Sequence, residues 1–502
     1  MQTISSLEMR ILEENSEYLG VSKHILMENA GRGVAEFCRK ILGDRNVKVV
    51  VVAGPGNNGG DGFVAARYLA RFYKVTVFLL AKPNEIRTFE AKENWGILEK
   101  MKLSVKLYYG YDLEKLKSLL KKADLIIDAI FGTGLKGEVR EPYRTAIEYI
   151  NEAGKKIVAV DVPSGLNPDT GEIHGVAVKA SYTVTFHRVK RGLEKRREYT
   201  GEVNVVDIGI PPEAELIVGP GDVVAVIKPR DAYAKKGDFG RILVIGGSEE
   251  YSGAPALAAL SAMRTGADIV VVAAPSSVAD VIRGFSPALI VRKLCGRNLS
   301  VEDVEKLLAL SNRMDSIVLG PGLGTGEETR EAVISYVSQL KEKPLVIDAD
   351  ALKILAERLD LISNRLVVLT PHAGEFKILF GVNVPRDVEA RAELVKSKAS
   401  EHKVTILLKG HEDIISDGER VKINYTGNPG MTVGGTGDVL TGVLATFLAW
   451  SKKPFLSASA AAFINGLAGD LAVRDLGFHI TALDLIGRIP IALKDFDLGF
   501  KP

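Results

Sequence analysis

The feature that most constrains the fold is a regular alternation, along the whole chain, of short β-rich apolar runs and longer segments with helical periodicity. This alternation is typical of parallel sheets covered by helices on both faces. We therefore predict an α/β protein. The predicted strands are residues 47–53, 74–80, 123–130, 155–161, 182–186 and 202–208 in the first half, and 240–247, 268–275, 315–322, 344–350, 365–371 and 404–410 in the second.

The length of the chain predicts two domains. A hydrophobic core stops growing at about 250 to 300 residues, and this chain has 502 residues. Residues 210–240 are rich in proline and glycine and have little helical periodicity, so we place the boundary near residue 215. The domains predicted are residues 1–215 and 216–502, each with its own βαβα series.

The charge balance argues against a nucleic acid or a membrane surface as the main partner. The chain has 65 Lys and Arg residues against 63 Asp and Glu residues, so its net field is weak. One local exception is HRVKRGLEKRRE, residues 187–198. A solvated basic face is the favoured interpretation of this segment, and steering of phosphate groups is the alternative.

The cysteines and the apolar segments indicate a cytoplasmic protein. Cys38 and Cys295 lie far apart without a CxxC motif, so we expect small core residues rather than a disulfide framework or a zinc site. The N-terminal segment mixes charged residues into an amphipathic pattern and has no signal-peptide h-region. Apolar runs such as VLTGVLATFLAW are shorter than the roughly 20 residues of a membrane-spanning helix.

The first glycine-rich loop, GPGNNGGDG at residues 54–62, contains GxGxxG between a predicted strand and a predicted helix. A phosphate group bound at the helix N-terminus is physically reasonable there. A dinucleotide-dependent oxidoreductase would need an acidic residue about 20 residues later to hold the ribose. Because Ala81, Lys82 and Pro83 follow the second strand instead, the oxidoreductase interpretation is weakened.

Oxygen-bearing side chains follow further strands of the first half. Asn58 lies in the glycine loop, Asp128 precedes the turn GTGLKG, and Asp161 and Ser164 lie in DVPSG. Residues beyond the carboxyl ends of parallel strands line the ligand crevice of an open sheet. Any one of these side chains could merely cap a helix or a turn. Together, Asn58, Asp128 and Ser164 offer amide, carboxylate and hydroxyl oxygens, a set that suits a hard cation.

In this order, GPGNNGGDG, DAIFGTGLKGEVREPY and DVPSG resemble the NAD(P)H-hydrate (NAD(P)HX) epimerase family. That family interconverts the R and S forms at C6 of hydrated nicotinamide dinucleotides. The resemblance implies a potassium ion held by Asn58, Asp128 and Ser164. It makes Asp161 the first candidate for the acid–base residue, followed by Lys136 and Glu138. The implied substrate contacts are Asn57, Asn58, Gly59, Gly60, Asp61, Gly132, Thr133, Gly134, Leu135, Lys136, Gly137, Glu138 and Asp161.

The second glycine-rich loop, GNPGMTVGGTGDVL at residues 427–440, precedes an apolar helical segment. Its backbone N–H groups would gather where the oxygens of a transferring phosphoryl group acquire charge. Asp438 would then be placed to accept a proton from an attacking hydroxyl, or it could only cap the helix. The chain contains no GxxxxGK[ST], which excludes a P-loop enzyme.

The stretch NPGMTVGGTGDVL resembles the anion hole of ribokinase-like kinases. GPGLGTG, VIDADAL, LTPHAGEF and KGHED narrow the resemblance to the ADP- or ATP-dependent NAD(P)HX dehydratases, from about residue 235 onward. This implies a magnesium ion, with Asp348, Asp350 and Glu375 organising either magnesium or substrate. The implied substrate contacts are Ala254, Gly322, His372 and Asp438, and the implied contacts to the nucleotide donor are Lys409, Gly410, His411, Glu412, Asp413, Gly435 and Gly437.

Together the two resemblances predict a cytoplasmic, homo-oligomeric repair enzyme for NAD(P)HX, with ADP favoured over ATP. The fold expected is an N-terminal Rossmann-like doubly wound sheet and a C-terminal ribokinase-like α/β sheet. Phosphorylation would make the C6 hydroxyl expellable, because phosphate is a far better leaving group than hydroxide. The alternative is a hydroxymethylpyrimidine- or hydroxyethylthiazole-type kinase. Its first half would then be a dinucleotide-binding module.

Overall fold

The computed structural model describes residues 3–43, 46–135, 137–230 and 232–497. The chain divides between Pro212 and Glu213 into two compact units. Each unit contains one sheet, and the two units are described separately below.

The first unit alternates helices and strands in the predicted manner. Its elements are α1 Ser6–Tyr18, α2 Lys23–Leu42, β1 Lys48–Ala53, α3 Asn57–Leu69, β2 Lys74–Leu79, α4 Phe89–Lys100, β3 Val105–Tyr109, α5 Leu113–Lys121, β4 Leu125–Ala129, α6 Tyr143–Glu152, β5 Lys156–Val160, β6 Tyr182–Phe186, α7 Arg197–Thr200 and β7 Glu202–Val206.

The sheet of the first unit has the strand order β3-β2-β1-β4-β5-β6-β7, and all of its pairings are parallel. The chain runs outward from β1 in both directions, so the order reverses between β1 and β4. Loops that leave neighbouring strands at such a point diverge and open a crevice at the carboxyl edge. The loop 54–56 follows β1 and Asp128 lies near the end of β4, so both lie at this crevice.

Helix α3 packs unusually close to the end of β1. It begins at Asn57, so most of the predicted glycine loop forms its first turns. A Cβ atom on Gly59 would lie 1.9 Å from the carbonyl oxygen of Gly54. Only glycine permits this approach, which fixes Asn57 and Asn58 at the mouth of the crevice.

The second unit continues the alternation and ends in three helices. Its elements are α8 Glu213–Leu216, α9 Pro220–Val224, β8 Arg241–Ile245, α10 Gly253–Thr265, β9 Ile269–Ala274, α11 Ser276–Gly284, β10 Ile290–Lys293, α12 Val304–Ser311, β11 Ser316–Leu319, α13 Glu327–Gln339, β12 Leu345–Ile347, α14 Asp350–Leu355, β13 Val367–Leu369, α15 Ala373–Phe380, α16 Val388–His402, β14 Thr405–Leu408, β15 Asp413–Ser416, β16 Val421–Asn424, α17 Thr436–Ser451, α18 Pro454–Leu476 and α19 Ala482–Leu493.

The sheet of the second unit has the order β10-β9-β8-β11-β12-β13-β14-β15-β16. Strands β8 to β14 pair in parallel, and β15 and β16 add an antiparallel edge. The order reverses between β8 and β11, which again opens a crevice at the carboxyl edge. A buried ion pair between Lys422 Nζ and Asp222 Oδ1, 2.7 Å long, joins the proline-rich segment to β16.

The long apolar helix α18 belongs to the core of the second unit. It has 23 residues and is long and apolar enough to cross a membrane, but most of its residues are buried. It packs against α9, α17 and α19. Helix α17 in turn lies very close to α10, since a Cβ atom on Gly442 would lie 1.9 Å from Ser261 Oγ. This contact fixes the position of α17, whose first turn carries Asp438.

Candidate active sites

A cavity of about 660 Å³ opens in the first unit beside the first glycine loop. Predicted substrate contacts on its wall are Asn57, Asp61, Thr133 and Gly134. The apolar part of the wall includes Met27, Phe186 and Ile208, and helix α1 adds Arg10 and Glu13. The cavity has the size and the mixed lining of a small-molecule site.

Asp161 directly follows β5 and is held in an ion pair. Its backbone has a φ of 63°, a left-handed conformation that is uncommon for a residue other than glycine. Lys190 is completely buried, and its Nζ donates to Asp161 Oδ1, to the Phe186 carbonyl oxygen at 2.9 Å and to Thr185 Oγ1 at 3.1 Å. All three ammonium protons are therefore used, and Lys190 compensates the charge of Asp161.

Two further carboxyl groups face this ion pair. Burial, followed by the charge of Asp161, raises the pKa of Glu13 to about 7. The same two causes raise the pKa of Asp61 well above its ordinary value. Among the described residues, no hydrogen bond donor reaches either carboxyl group, so both are available to a ligand in the cavity.

The predicted cation ligands lie together at the carboxyl edge. Asp128 is fully buried, and it accepts hydrogen bonds from Ser164 Oγ at 2.6 Å and from Ser164 N at 2.8 Å. Gly132 lies against Asn58, whose buried Nδ2 has no hydrogen bond partner. Burial raises the pKa of Asp128 to about 6, and the hydrogen bonds from Ser164 oppose this shift.

In the second unit, Lys409 lies at the centre of a cluster of carboxylates at the strand ends. Its Nζ is 2.8 Å from Asp348 Oδ1 and 3.9 Å from Glu375 Oε2. Asp348 follows β12 and also accepts a hydrogen bond from Thr370 Oγ1 at 2.8 Å. Burial raises the pKa of Glu375, and the charge of Asp348 adds to the effect of burial. The cluster holds more negative charge than Lys409 compensates.

Asp438 belongs to this cluster and is half-buried in the first turn of α17. A Cβ atom on Gly437 would lie 3.4 Å from Lys409 Nζ, and Gly435 provides a left-handed N-cap with a φ of 95°. Burial first, and then the charge of Asp348, raises the pKa of Asp438 to about 7, although Lys409 opposes the shift. No described residue donates a hydrogen bond to its carboxyl group. Asp438 is therefore a free carboxyl group at the start of a helix, among charged neighbours.

The other predicted substrate contacts lie along the same edge. Ala254 and Gly322 are neighbours at the point where the strand order reverses, since a Cβ atom on Gly322 would lie 3.6 Å from Ala254 Cβ. His372 caps α15: its Nδ1 accepts from Gly374 N at 3.0 Å and leaves the ring 59% exposed. A parallel bridge pairs His372 with Lys409.

The predicted nucleotide contacts at residues 409–412 form the turn between β14 and β15, and Asp413 is the first residue of β15. Gly410 N donates to Asp413 Oδ1 at 3.1 Å, and Asn424 Nδ2 donates to Asp413 Oδ2 at 3.0 Å. Burial raises the pKa of Asp413 to about 6. Glu412 pairs with Arg391, and His411 is 83% exposed. Asp413 shapes the turn, whereas His411 is open to a ligand.

Two family models match the chain. Residues 242–491 match NAD(P)H-hydrate dehydratase, and residues 23–192 match the YjeF-related protein N-terminus. Among curated proteins, the bifunctional NAD(P)H-hydrate repair enzyme Nnr of Hyperthermus butylicus is 48% identical over 98% of this chain and 93% of its own length. The enzyme of the same name from Pyrobaculum aerophilum is 48% identical over 99% of both chains. The chain belongs to the bifunctional NAD(P)H-hydrate repair enzyme family.

Among solved structures, a hypothetical protein from Streptococcus mutans is 26% identical, with a TM-score of 0.50. It covers 56% of this chain and 100% of its own length. The predicted fold class is confirmed: the chain is an α/β protein of two domains, with a seven-stranded parallel sheet in the first and a nine-stranded mixed sheet in the second.

The structure separates the predicted epimerase residues into groups. Thr133 and Gly134 line the cavity with Asn57 and Asp61, whereas Gly137 and Glu138 are exposed and do not line it. Gly59 and Gly60 are buried, and Leu135 is half-buried away from the cavity wall. Lys136 lies outside the described residues.

Two expectations were wrong. Residues 187–198 are not uniformly a solvated basic face, because Lys190 is buried against Asp161 and Val189 and Leu193 are buried beside it. Cys295 is exposed rather than a core residue, since it follows the edge strand β10, whereas Cys38 is buried as expected.

The motifs also missed functional candidates, chiefly Glu13 and Lys190. Glu13 lies outside the matched region 23–192, on the side of α1 that also carries the buried Met9 and Leu12. The sequence signal that could have identified Glu13 is a carboxylate on the apolar face of a predicted helix. Lys190 lies between Val189 and Leu193, whose apolar side chains are buried, but the charged residues around it obscure this pattern in the sequence.

Proposed function

We propose that this chain repairs hydrated nicotinamide dinucleotides in two steps: it interconverts R- and S-NAD(P)HX, and it dehydrates S-NAD(P)HX to NAD(P)H with ADP or ATP. The observation that carries the proposal is the free carboxyl group of Asp438 among Lys409, Asp348 and Glu375 at the carboxyl edge of the second sheet. Membership of the repair family supports the assignment.

The epimerase reaction is proposed for residues 1–215. The ring nitrogen beside C6 can expel the hydroxyl group, so positioned proton donors and acceptors suffice to invert the centre. Asp161 is proposed to exchange protons with the substrate while Lys190 compensates its charge. The substrate would lie in the cavity beside Asn57 and Asp61, with its ring against Met27 and Phe186.

A potassium ion fits the ligands at Asn58, Asp128 and Ser164. The unpartnered amide of Asn58 supports this, because the two ends of an amide group are interchangeable by rotation, and its oxygen can take the buried position. The buried Asp128 supplies a carboxylate. The ion would supply positive charge beside the substrate loop at residues 132–138.

Dehydration is proposed for residues 216–502. Asp438 would take the proton of the C6 hydroxyl as that oxygen attacks the terminal phosphoryl group of the donor. The backbone amides of Gly435 and Gly437 would stabilise the transferring group. The C6–O bond of the phosphate ester then breaks, inorganic phosphate leaves, C5 loses a proton to solvent, and the new C5=C6 double bond restores the dihydropyridine ring. Ala254, Gly322 and His372 would hold the hydrated nucleotide, and residues 409–413 the donor.

A magnesium ion fits this site as a partner of the donor phosphates. No cage of three or more His, Cys, Asp or Glu side chains occurs in the part of the chain that the structure describes. Magnesium commonly binds through one or two carboxylates plus substrate phosphates, which Asp348, Asp350 or Glu375 can provide. The ion would neutralise charge on the phosphoryl group.

Three finer features are part of the proposal. ADP is favoured as the donor, since fusion of the two domains resembles prokaryotic members of the family. The enzyme is proposed to be a homo-oligomer, and to act in the cytoplasm. The burial of α18 in the core supports a water-soluble enzyme.

The test supplies pure R- or S-NADHX or NADPHX with ADP or ATP, magnesium and potassium, and follows the recovery of dihydronicotinamide absorbance. We expect recovery from both epimers. A stable phosphorylated product would identify an ordinary small-molecule kinase instead, and failure to consume the R form would remove the epimerase.

The role of Asp161 is tested by Asp161→Ala. We expect exchange between R and S, followed by NMR, to be abolished because the proton acceptor is lost. Dehydration of the S form, which the second unit carries out, serves as the internal control. Exchange at the wild-type rate would exclude this role.

A further inference from the structure

The cavity of the first unit contains a carboxyl group that none of the motifs includes. Glu13 projects from α1 into the wall that also holds Asn57, Asp61 and Thr133. Four of the predicted substrate contacts, these three and Gly134, therefore share a cavity with a residue that precedes the matched region 23–192. Its placement next to the substrate loops is the first reason to consider Glu13 in the reaction.

Among the described residues, the charged groups around Glu13 form no hydrogen bond with its carboxyl group. The neighbours that act on it electrostatically are Asp161, Lys190, Glu14 and Lys23, and Arg10 and Asp61 share its cavity wall. Lys190 donates all of its protons elsewhere, and Lys23 pairs with Glu14 at 2.9 Å. No donor among the described residues reaches the Glu13 carboxyl group. It can therefore hydrogen bond to a ligand without breaking an internal contact.

The surroundings of Glu13 suit proton transfer near neutral pH. Burial and the charge of Asp161 raise the pKa of Glu13 to about 7, so its acid and base forms coexist. General acid–base catalysis is most efficient when the pKa lies near the working pH. The apolar walls at Met27 and Phe186 would also exclude water from a bound ring.

We propose that Glu13 is a catalytic residue of the epimerase, the proton donor to the departing C6 hydroxyl group. The inference rests on the proposed epimerase function. The C6–O bond breaks as the oxygen takes the proton of Glu13 and leaves as water, while the nitrogen lone pair forms a C6=N bond. Water then adds to the other face of C6, the lone pair returns to nitrogen, and the surplus proton passes to Asp161. Transfer of that proton back to Glu13 restores the enzyme.

The test is Glu13→Gln in the full-length chain, since glutamine has the shape of the neutral acid but no proton to donate. We expect exchange between R- and S-NADHX to slow by a factor of about 100 or more. We also expect the fall of the exchange rate above neutral pH, which reports loss of the acid form, to disappear. Dehydration of S-NADHX should match the wild type, and the thermal unfolding midpoint should not fall below that of the wild type.

The matched control is Glu17→Gln on the same helix. Glu17 is exposed, pairs with Lys23 at 3.2 Å and does not line the cavity. The Glu17→Gln enzyme should therefore exchange R- and S-NADHX at the wild-type rate. A wild-type rate in Glu13→Gln, or a slow rate that keeps the alkaline fall, would overturn the role of Glu13. Absence of exchange in the wild-type enzyme would instead overturn the epimerase function itself.

Discussion

Each proposed active site contains a lysine among several carboxyl groups, but the two lysines are used differently. Lys190 directs all of its protons to Asp161 and its immediate neighbours. Lys409 is closest to Asp348, so it compensates Glu375 and Asp438 only in part. This difference leaves Asp438 with a pKa near neutrality and a free carboxyl group, which a catalytic base requires.

The residue-scale prediction for the second unit is that Asp438→Asn lowers dehydration by about 100-fold or more, because the variant cannot accept a proton. Epimerisation should be unchanged. In the wild type, the base form is required, so kcat/KM for dehydration should rise with pH through about 7. A steady-state pH profile of both proteins provides the measurement. An Asp438→Asn enzyme with the wild-type rate and profile would exclude this base.

The raised pKa of Asp438 also makes the stability of the second unit depend on pH. The pKa of Asp438 is raised on folding from 3.8 to about 7, so the native state binds this proton more tightly than the unfolded state. The resulting stabilisation is fully present below the unfolded value and is lost as the pH rises through about 7. Asp438 is therefore expected to destabilise the folded second unit at alkaline pH.

Sequence patterns predicted the side chains at strand ends better than those that act through burial. Asp128, Ser164, Asp348 and Asp438 could be singled out as candidates because each follows or ends a recognisable strand or loop. The burial of Lys190 depends on how residues 187–193 turn back toward β5, which no local pattern encodes. Burial that depends on long-range packing, such as that of Lys190, therefore could not be predicted from local sequence patterns.

At the scale of elements, the predicted strands all correspond to observed ones. The four strands that were missed are β3, β10, β15 and β16. They lie at or next to sheet edges and have exposed or charged positions, so they lack the continuous apolar run of a strand buried on both faces. The doubly wound centre of each sheet was thus predictable, whereas of the edge strands of the two described sheets only β7 was predicted.

The contact between α10 and α17 leads to a prediction about Gly442. A Cβ atom there would also lie 2.1 Å from the Ala258 carbonyl oxygen, which is backbone and cannot rotate away. Gly442→Ala should displace α17, destabilise the second unit by about 1–3 kcal/mol and slow dehydration more than 10-fold, since small displacements of a catalytic group are costly.

The measurements for Gly442→Ala are chemical unfolding and steady-state dehydration. Gly487→Ala is the control, because Gly487 is also helical but a Cβ atom there would meet nothing within 4 Å. We expect that control to be at least as stable as the wild type. Wild-type dehydration in Gly442→Ala would mean that the contact does not set the position of Asp438.

At the scale of the whole molecule, the two compact units can be observed separately. The chain has two tryptophans, Trp95 in α4 of the first unit and Trp450 in α17 of the second. Trp95 is buried, and Trp450 donates a hydrogen bond to the Phe239 carbonyl oxygen at 2.8 Å. The variants Trp95→Phe and Trp450→Phe would each leave one fluorescent reporter.

We expect ADP with magnesium to raise the unfolding midpoint reported by Trp450 and not the one reported by Trp95. A ligand at 100 times its Kd stabilises the state that binds it by about 2.7 kcal/mol. Thermal melts of the two variants, with ADP and then with ATP, measure the effect and rank the donors. An equal shift at Trp95 would contradict assignment of the donor site to the second unit alone.

The burial of α18 also has a consequence for synthesis on the ribosome. This segment has the hydropathy of a membrane span, but it follows every strand of its sheet, as well as α9 and α17, in chain order. When it emerges, most of the surface that will cover it has already been made, because chains are produced from the N-terminus. A nascent chain therefore exposes this apolar segment to chaperones or to a translocon for only a short time.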